Sequence, residues 1–230
     1  MSVGKMSGRA KALCVVVVLA LVGAGLYVWL SRSDGGEDSA LKAPTKPCWD
    51  GAPDGATLQK LLGPGDKLLH EQDEFRVVKD HYPSHCQYEA QTAGSVDTVL
   101  DVDVVWNDDA LPTNELPTSD AQGNESRTRW DAGVLAYYLR ASQVVFFECV
   151  PDFPADAPAY MKRDKYIKVD VLARPMKGSG LSALEARKVG LDAVLQVARD
   201  VAKKAGCKND TNLPNSVPSV TKPNWPGFDR

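Results

Sequence analysis

The sequence lacks the motifs that mark many known chemistries. It has no G-x-S-x-G nucleophile elbow and no nucleophile–base pair that position alone identifies. No C-x-x-C or other closely spaced cysteine pair occurs, which argues against a structural zinc site. No internal repeat is visible either, which argues against a repeat architecture. The sequence therefore predicts no catalytic residue, no cofactor and no metal ligand, and an enzyme is the least favoured class of function.

Net positive charge is missing from most of the chain. The formal charge is −3, and the basic residues Lys5, Arg9 and Lys11 contribute +3 near the N-terminus, so the remainder carries −6. An acidic surface argues against nucleic acid as a partner, because phosphate binding needs clustered basic side chains. It argues equally against a polybasic binder of lipid headgroups.

One long apolar run, Ala12 to Leu30, dominates the N-terminal part of the chain. Its nineteen uncharged residues, at ~1.5 Å of helical rise each, just cross a hydrocarbon core of ~30 Å. Because basic residues precede the run, the sequence predicts a single-pass anchor in the cell membrane with a cytoplasmic N-terminus. A cleaved signal peptide is the alternative, but its apolar region would span only ~7–15 residues. Cys14 lies at the wrong end of the run for lipidation.

Four further cysteines follow the anchor, on the side of the membrane where disulfides persist: Cys48, Cys86, Cys149 and Cys207. Their even number indicates two bridges, and four cysteines allow three pairings. We favour Cys48–Cys86 and Cys149–Cys207, because each pair would join the end of one element to a strand. A zinc site is the less favoured alternative.

Composition divides the chain into five segments. About 200 residues follow the anchor, enough for one compact domain rather than two. The stretch directly after the anchor is polar, and the last stretch is proline-rich with few aliphatic residues, so neither can bury much surface. The predicted segments are a cytoplasmic tail (1–11), a transmembrane helix (12–30), a flexible linker (31–47), an extracytoplasmic domain (48–207) and a disordered tail (208–230).

Two helices are predicted in the domain. A short one spans Ala56 to Leu62 and ends at Gly63. A long one begins with the capping box of Ser182 and Glu185 and ends at Gly206. Leucine, valine and alanine recur at helical spacing along the long helix, and its charged residues, Arg187 among them, are expected on the outer face.

Strands are predicted between the two helices. The clearest spans Val96 to Trp106, where apolar residues alternate with Asp97, Asp101 and Asp103. Strict alternation indicates one buried and one solvated face, which is typical of an antiparallel sheet. The fold class is therefore α+β, an antiparallel sheet packed by a short N-terminal and a long C-terminal helix. The other predicted strands are 74–79, 85–93, 134–139, 143–150 and 166–174, the third and fourth forming a hairpin.

The order of these elements resembles a broad set of proteins. A cysteine-led helix ends in Leu61-Leu62-Gly63, a strand ends in Phe146-Phe147-Glu148-Cys149, and the long helix ends in Ala205-Gly206-Cys207. This pattern is similar to the secreted and membrane-anchored ectodomains of unknown function in actinobacterial envelopes, some of which are lipoproteins. The resemblance covers roughly residues 48–207 and implies an α+β domain outside the membrane. It transfers no catalytic residue.

Several polar segments were weighed as candidate sites. His81 and His85 are four residues apart, but Pro83 between them disfavours a shared helical metal site, so we expect a solvated turn. The carboxylates Asp97, Asp101, Asp103, Asp108 and Asp109 could chelate calcium or act as an acid–base pair. The calcium-loop pattern lacks its glycine and terminal glutamate, so a wet strand face is preferred. The glycine-rich segment 178–182 is explained by helix capping.

Aromatic residues are the remaining candidates for a ligand pocket. They are Trp49, Trp106, Trp130, Tyr137, Tyr138, Phe146 and Phe147, and a core filled by aromatics is the more ordinary explanation.

The leading hypothesis for function is a membrane-anchored, sensor-like binding domain of unknown ligand on the extracytoplasmic side. The ligand would be a small molecule, an envelope polymer or another protein of the membrane or envelope. The alternatives are an accessory subunit of a cell-envelope assembly and, third, an envelope hydrolase.

Overall fold

The computed structural model describes residues 40–76, 82–107, 128–139, 141–151 and 165–219, all within one compact unit that begins at Ala40. In chain order the elements are α1 (Gly55–Leu61), β1 (Lys67–Gln72), β2 (Ser84–Thr92), β3 (Ser95–Asn107), β4 (Thr128–Arg129), β5 (Leu135–Leu139), β6 (Ser142–Glu148), β7 (Tyr166–Ala173) and α2 (Ala183–Ala205). No helix in these ranges is long and apolar enough to cross a membrane. The predicted anchor, 12–30, and the tail before it lie outside the described residues.

All neighbouring strands pair antiparallel, in the order β1-β2-β3-β7-β6-β5-β4. The longest strand, β3, pairs with β2 on one side and with β7 on the other. The alternating pattern predicted this long, half-buried strand because successive side chains point to opposite faces. The α+β class and its antiparallel sheet are confirmed.

The two helices and the main core lie on one face of the sheet. Alternate side chains of β3, β6 and β7 are fully or almost fully buried there: Val102, Val104, Val145, Phe147, Ile167, Val169 and Val171. Helix α2 packs against β6 and β7, and its apolar stripe, including Val194 and Leu195, joins the same core. Burial of this stripe, more than helix propensity, stabilises α2.

The opposite side of the sheet, called the second face here, changes character along the strand order. Near β2 and β3 it carries His85, Asp101 and Asp103, which are partly or largely exposed. Near β5 and β6 it carries a small buried apolar cluster of Leu135, Val144 and Phe146. The polar half of the second face is the wet strand face that the aspartates predicted.

Helix α1 is fastened to α2 by polar side chains. The Asp54 carboxylate caps α1 by accepting from the Thr57 amide at 2.7 Å, and the Asp54 amide donates to Gln196 Oε1 at 2.7 Å. Thr57 Oγ1 in turn bonds Asp192 and Gln196 on α2. The predicted short helix is confirmed, and its residues Leu58 and Leu61 are completely buried.

Helix α2 begins and ends where the sequence predicted. Ser182 and Glu185 form the reciprocal capping box, and Gly206 ends the helix with φ 66° in the left-handed region, which glycine adopts without strain. The prediction for Arg187 is wrong. That side chain is only 3 % exposed, because its position on α2 faces the Tyr138 ring on β5.

Three further differences concern the edges of the domain. The strand predicted at 74–79 does not form over its described part, 74–76; the edge strand is β1, whose burial does not alternate. Within the expected linker, Leu41 is buried and its amide donates to the Gly63 carbonyl. Within the expected disordered tail, the carbonyl of Asn212 accepts from Gly133 and that of Pro214 from Arg199. Residues 40–47 and 208–214 therefore belong to the folded domain.

Both disulfides have the favoured pairing. Cys48 bonds Cys86, which ties the segment before α1 to β2, and Cys149 bonds Cys207, which ties the end of β6 to the end of α2. Both bridges link chain segments distant in sequence, with separations of 38 and 58 residues. Such bridges persist in an oxidising compartment.

Candidate functional site

Three side chains on the second face converge between β2 and β3, and we call them the His–Asp cluster: His85, Asp101 and Asp103. His85 and Asp103 are direct partners in the antiparallel register, and Asp101 lies two residues before Asp103, on the same face. His85 Nδ1 lies 3.1 Å from Asp103 Oδ1 and 3.4 Å from Asp101 Oδ1. One ligand atom from each residue lies within 4.8 Å of the other two. The histidine and the carboxylates lie in separate segments of the sequence, and the pairing of β2 with β3 brings them together.

The electrostatics of the cluster follow from this proximity. Partial burial by itself lowers the pKa of His85, but the hydrogen bond to Asp103 and the charges of both aspartates outweigh burial and raise the pKa above its ordinary value. Burial raises the pKa of Asp101; His85 lowers it, and the like charges of Asp103 and Asp170 raise it further. The cluster therefore favours a positive group among its carboxylates.

A second layer of polar groups holds the cluster in place. Asp170 on β7 pairs with Asp103 in the register, but it accepts from Ser142 Oγ at 2.6 Å and forms an ion pair with Lys168 at 3.0 Å. Gln87 forms a side-chain hydrogen bond with His85, and Gln87 donates to Glu89 and Thr98. Asp170 and Gln87 are thus occupied by their own neighbours.

A hollow of about 400 Å³ lies at the β4 edge of the sheet, and we call it the Trp130 hollow. It is lined by residues 129–136, with Leu135 and Ala136 buried at its wall and Asp131 exposed. The indole Nε1 of Trp130 is buried and has no hydrogen-bond partner among the described residues. Gly133, with φ 56°, forms the turn of this segment and approaches the Phe146 carbonyl so closely that a side chain would collide with it.

A buried polar group lies between α2 and the β5–β6 hairpin. The guanidinium of Arg187 lies over the Tyr138 ring, 3.9 Å from its centroid, and burial lowers the pKa of Arg187. Its Nη1 has no hydrogen-bond partner within the described part of the chain, and neither does Oε1 of the buried Gln143. Gln143 is the register partner of Tyr138 and touches Gly190 on α2. The sequence indicated none of this, because helical periodicity alone cannot show which charged residue meets a sheet edge.

The other sequence candidates separate into distinct places. Among the aromatic residues, Trp130 lines the hollow, whereas Phe147 is completely buried in the main core and Trp49 packs on Phe75 with ring centroids 5.3 Å apart. Asp97 lies at the start of β3 beside Ser95. The cap at 178–182 is explained by the capping box. His81, Asp108 and Asp109 lie outside the described residues.

Comparison with known proteins identifies no family for the chain. No family model, curated protein or solved structure matches the chain. The disulfide-stapled α+β domain therefore stands on the chain's own geometry.

Proposed function

We propose that the chain is a membrane-anchored, extracytoplasmic binding domain, with residues 12–30 as a single-pass anchor and the Trp130 hollow as its ligand site. The observation that carries the binding function is the hollow itself. Its volume, about 400 Å³, falls in the range of roughly 300–1,000 Å³ that is usual for small-molecule sites. The lining combines the apolar side chains of Leu135 and Ala136 with polar groups, among them the unpaired indole N–H, and small-molecule sites use apolar surface for affinity and polar groups for orientation.

The hollow favours a particular class of ligand. A buried N–H without an acceptor is unfavourable, and a ligand that brings an acceptor removes that penalty. We therefore propose a small amphiphilic molecule whose carbonyl, hydroxyl or carboxylate oxygen accepts from Trp130 Nε1, once a rotation of the indole turns this buried atom towards the hollow, while its apolar part contacts Leu135. The N-terminal anchor would keep the site close to the membrane surface and raise its effective concentration there.

The extracytoplasmic location has separate support. Both disulfides favour an oxidising compartment, and the basic residues before the apolar run favour a cytoplasmic N-terminus. The resemblance to actinobacterial envelope ectodomains points the same way. An accessory subunit of an envelope assembly remains the alternative function; the exposed large apolar residues of the described ranges, Tyr82, Val96, Val134 and Val150, come from four separate segments and do not favour it.

Ligand binding is tested by a thermal-shift screen of the full chain in detergent against a library of small carboxylic acids, amides and sugars. Ligands of the hollow should raise the melting temperature of the wild type, because only the folded state binds them. Trp130→Phe, which removes the N–H, should abolish the shift, whereas Trp106→Phe, on β3, should retain it. A library without stabilising compounds, or compounds equally effective on Trp130→Phe, would contradict the proposal.

The anchor is tested separately with an epitope placed after Arg230. The chain should stay in the membrane pellet after an alkaline carbonate wash, and protease added to intact cells should remove the epitope. Release of the chain by the wash would contradict the anchor without bearing on the hollow.

A further inference from the structure

We propose that the His–Asp cluster is a binding site for a divalent transition-metal cation, Zn²⁺ in first place, held by His85, Asp101 and Asp103. This site lies on the second face and does not depend on the function proposed for the Trp130 hollow. Each of its three side chains carries an atom of the type that binds zinc in proteins, an imidazole nitrogen or a carboxylate oxygen.

The two distances from His85 to the carboxylates match those within a coordination sphere. Two ligand atoms that each lie about 2.1 Å from a zinc ion, at the tetrahedral angle, are about 3.4 Å apart. His85 Nδ1 lies 3.4 Å from Asp101 Oδ1 and 3.1 Å from Asp103 Oδ1. The ligand atoms of Asp101 and Asp103 lie within 4.8 Å of each other, so a cation between the three side chains would require the two carboxylates to rotate towards each other.

An orphaned atom gives a second reason to expect a ligand. Asp101 Oδ1 is buried and accepts no hydrogen bond from the described residues, although it lies within ion-pair distance of His85. Buried carboxylate oxygens without a donor are rare in folded proteins, because their desolvation is not offset. A cation in the cluster would satisfy this oxygen.

Neighbouring residues would hold the three ligands in position without coordinating the cation themselves. His85 precedes Cys86, whose disulfide to Cys48 fixes this part of β2, and Gln87 orients the imidazole. Asp170 stays with Ser142 and Lys168, so it adds negative charge nearby rather than a fourth ligand. Partners of this kind, which position metal ligands, commonly change metal affinity 10- to 100-fold.

The types of ligand determine which ions the cluster would bind, and the exposure of the cluster determines whether a coordination position stays open. One imidazole with two carboxylates suits Zn²⁺ and, more weakly, Mn²⁺, whereas Ca²⁺ and Mg²⁺ prefer oxygen ligands alone. The Asp103 side chain is 56 % exposed, so the remaining coordination positions face solvent. Three protein ligands with an open position are typical of zinc sites that bind water or a further ligand.

The test is isothermal titration of the full chain, purified in detergent and stripped with EDTA, with ZnCl₂, MnCl₂ and CaCl₂ in turn. We expect one equivalent of Zn²⁺ per chain, weaker Mn²⁺ binding and no measurable Ca²⁺ binding. His85→Gln, Asp101→Asn and Asp103→Asn should each weaken Zn²⁺ binding by at least about tenfold. His70→Gln, on the other face of the sheet, and Asp97→Asn, at the start of β3, are the matched controls and should bind as the wild type does.

Three results would overturn the proposal: no Zn²⁺ binding by the wild type, undiminished binding by Asp101→Asn, or equal weakening in His70→Gln. Asp103→Asn keeps the result interpretable if another variant fails to fold, since Asp103 is largely exposed and its replacement keeps the shape of the side chain. Failure of this titration would leave the thermal-shift test of the Trp130 hollow unaffected.

Discussion

Arg187 is buried, although the helix that carries it was predicted correctly and its position was expected on the outer face. Its helix was predicted with both ends in place, yet the guanidinium is buried over Tyr138 with Nη1 unpaired and no carboxylate partner among the described residues. A buried charge without an acid partner is costly, and contact with the ring offsets only part of that cost. The long aliphatic part of the side chain meanwhile fills space between α2 and β5.

Replacement of Arg187 by methionine should therefore raise the free energy of unfolding by about 1 kcal/mol, since it removes the unpaired charge and keeps most of the apolar contact. Urea denaturation of the full chain measures the effect. The matched control is Arg199→Met, because Arg199 on the same helix donates to the Pro214 carbonyl at 2.6 Å, and its loss should lower stability by about 1 kcal/mol. A destabilised Arg187→Met protein would show that the guanidinium contributes net stability.

Tyr88 is a single residue that should make the stability of the domain depend on pH. The side chain is 3 % exposed, its hydroxyl donates to the Pro47 carbonyl at 2.9 Å, and His70 stacks on its ring. Burial raises the pKa of Tyr88 from 10.0 to about 12, because the phenolate would be poorly solvated. The folded state therefore holds the phenol proton more tightly than the unfolded state does.

The stability linked to Tyr88 should be complete below pH 10, the unfolded pKa, and should be lost as the pH rises towards about 12. By pH 11 the loss amounts to about 1.4 kcal/mol. Denaturant unfolding of the wild type and Tyr88→Phe at pH 8, 10 and 11 measures it. The variant should be less stable by about 1 kcal/mol at pH 8, where its hydrogen bond is missing, and the difference should vanish near pH 11. Parallel pH profiles would contradict the assignment.

At the scale of elements, α2 is the part of the fold most completely specified by local sequence. Ser182 Oγ accepts from the Glu185 amide, and the Glu185 carboxylate accepts from the Ser182 amide at 2.9 Å. Those hydrogen bonds with Ser182 also lower the pKa of Glu185. Strand β1 is the opposite case, because its six residues show no alternation and depend on pairing with β2.

Ser182→Ala should therefore lower the free energy of unfolding by about 1 kcal/mol, through loss of the N-cap. Ser182→Asp, which keeps an acceptor at the same position, should stay within a few tenths of the wild type. Urea denaturation compares the three proteins. Equal stability of Ser182→Ala and the wild type would mean that packing against β6 and β7 makes the cap redundant.

At the scale of the whole molecule, the two disulfides close the chain around the sheet. One bridge joins the segment before α1 to β2, and the other joins β6 to the end of α2. Their closed loops do not overlap in sequence, so each restricts a different part of the unfolded chain. A loop-entropy treatment assigns about 4 kcal/mol of stabilisation to each bridge, with a measured range of roughly 2–5 kcal/mol for native bridges.

Replacing Cys48 and Cys86 by alanine, or Cys149 and Cys207 by alanine, should lower the free energy of unfolding by about 2–5 kcal/mol in each case. The losses should be roughly additive, because the bridges share no partner. Denaturant unfolding with and without reductant measures the effect, and the variant lacking all four cysteines serves as the control that reductant should not change. An unreduced wild type in which mass spectrometry finds Cys48, Cys86, Cys149 and Cys207 all as free thiols would contradict both bridges.

The candidate sites were only partly visible in the sequence. The sequence pattern predicts a turn at His85 and a wet strand face at Asp101 and Asp103, and it does not connect the two because 16 residues separate His85 from Asp101. Trp130 was one of seven aromatic candidates with nothing to distinguish it. Gln143 carried no signal at all. The role of each of these positions depends on contacts with residues far away in the chain.

The sequence by itself determined both helices and their caps, most of the strands and the α+β class. These follow from local periodicity and capping chemistry, which act over a few residues. The sequence left three cysteine pairings open, and the tertiary structure decided among them. Only the tertiary structure decided the strand order, the edge strand β1, the contacts of 40–47 and 208–214, the burial of Arg187 and the convergence of the His–Asp cluster. Strand register and the docking of α2 set these features, and both depend on contacts between segments tens of residues apart, which no local pattern encodes.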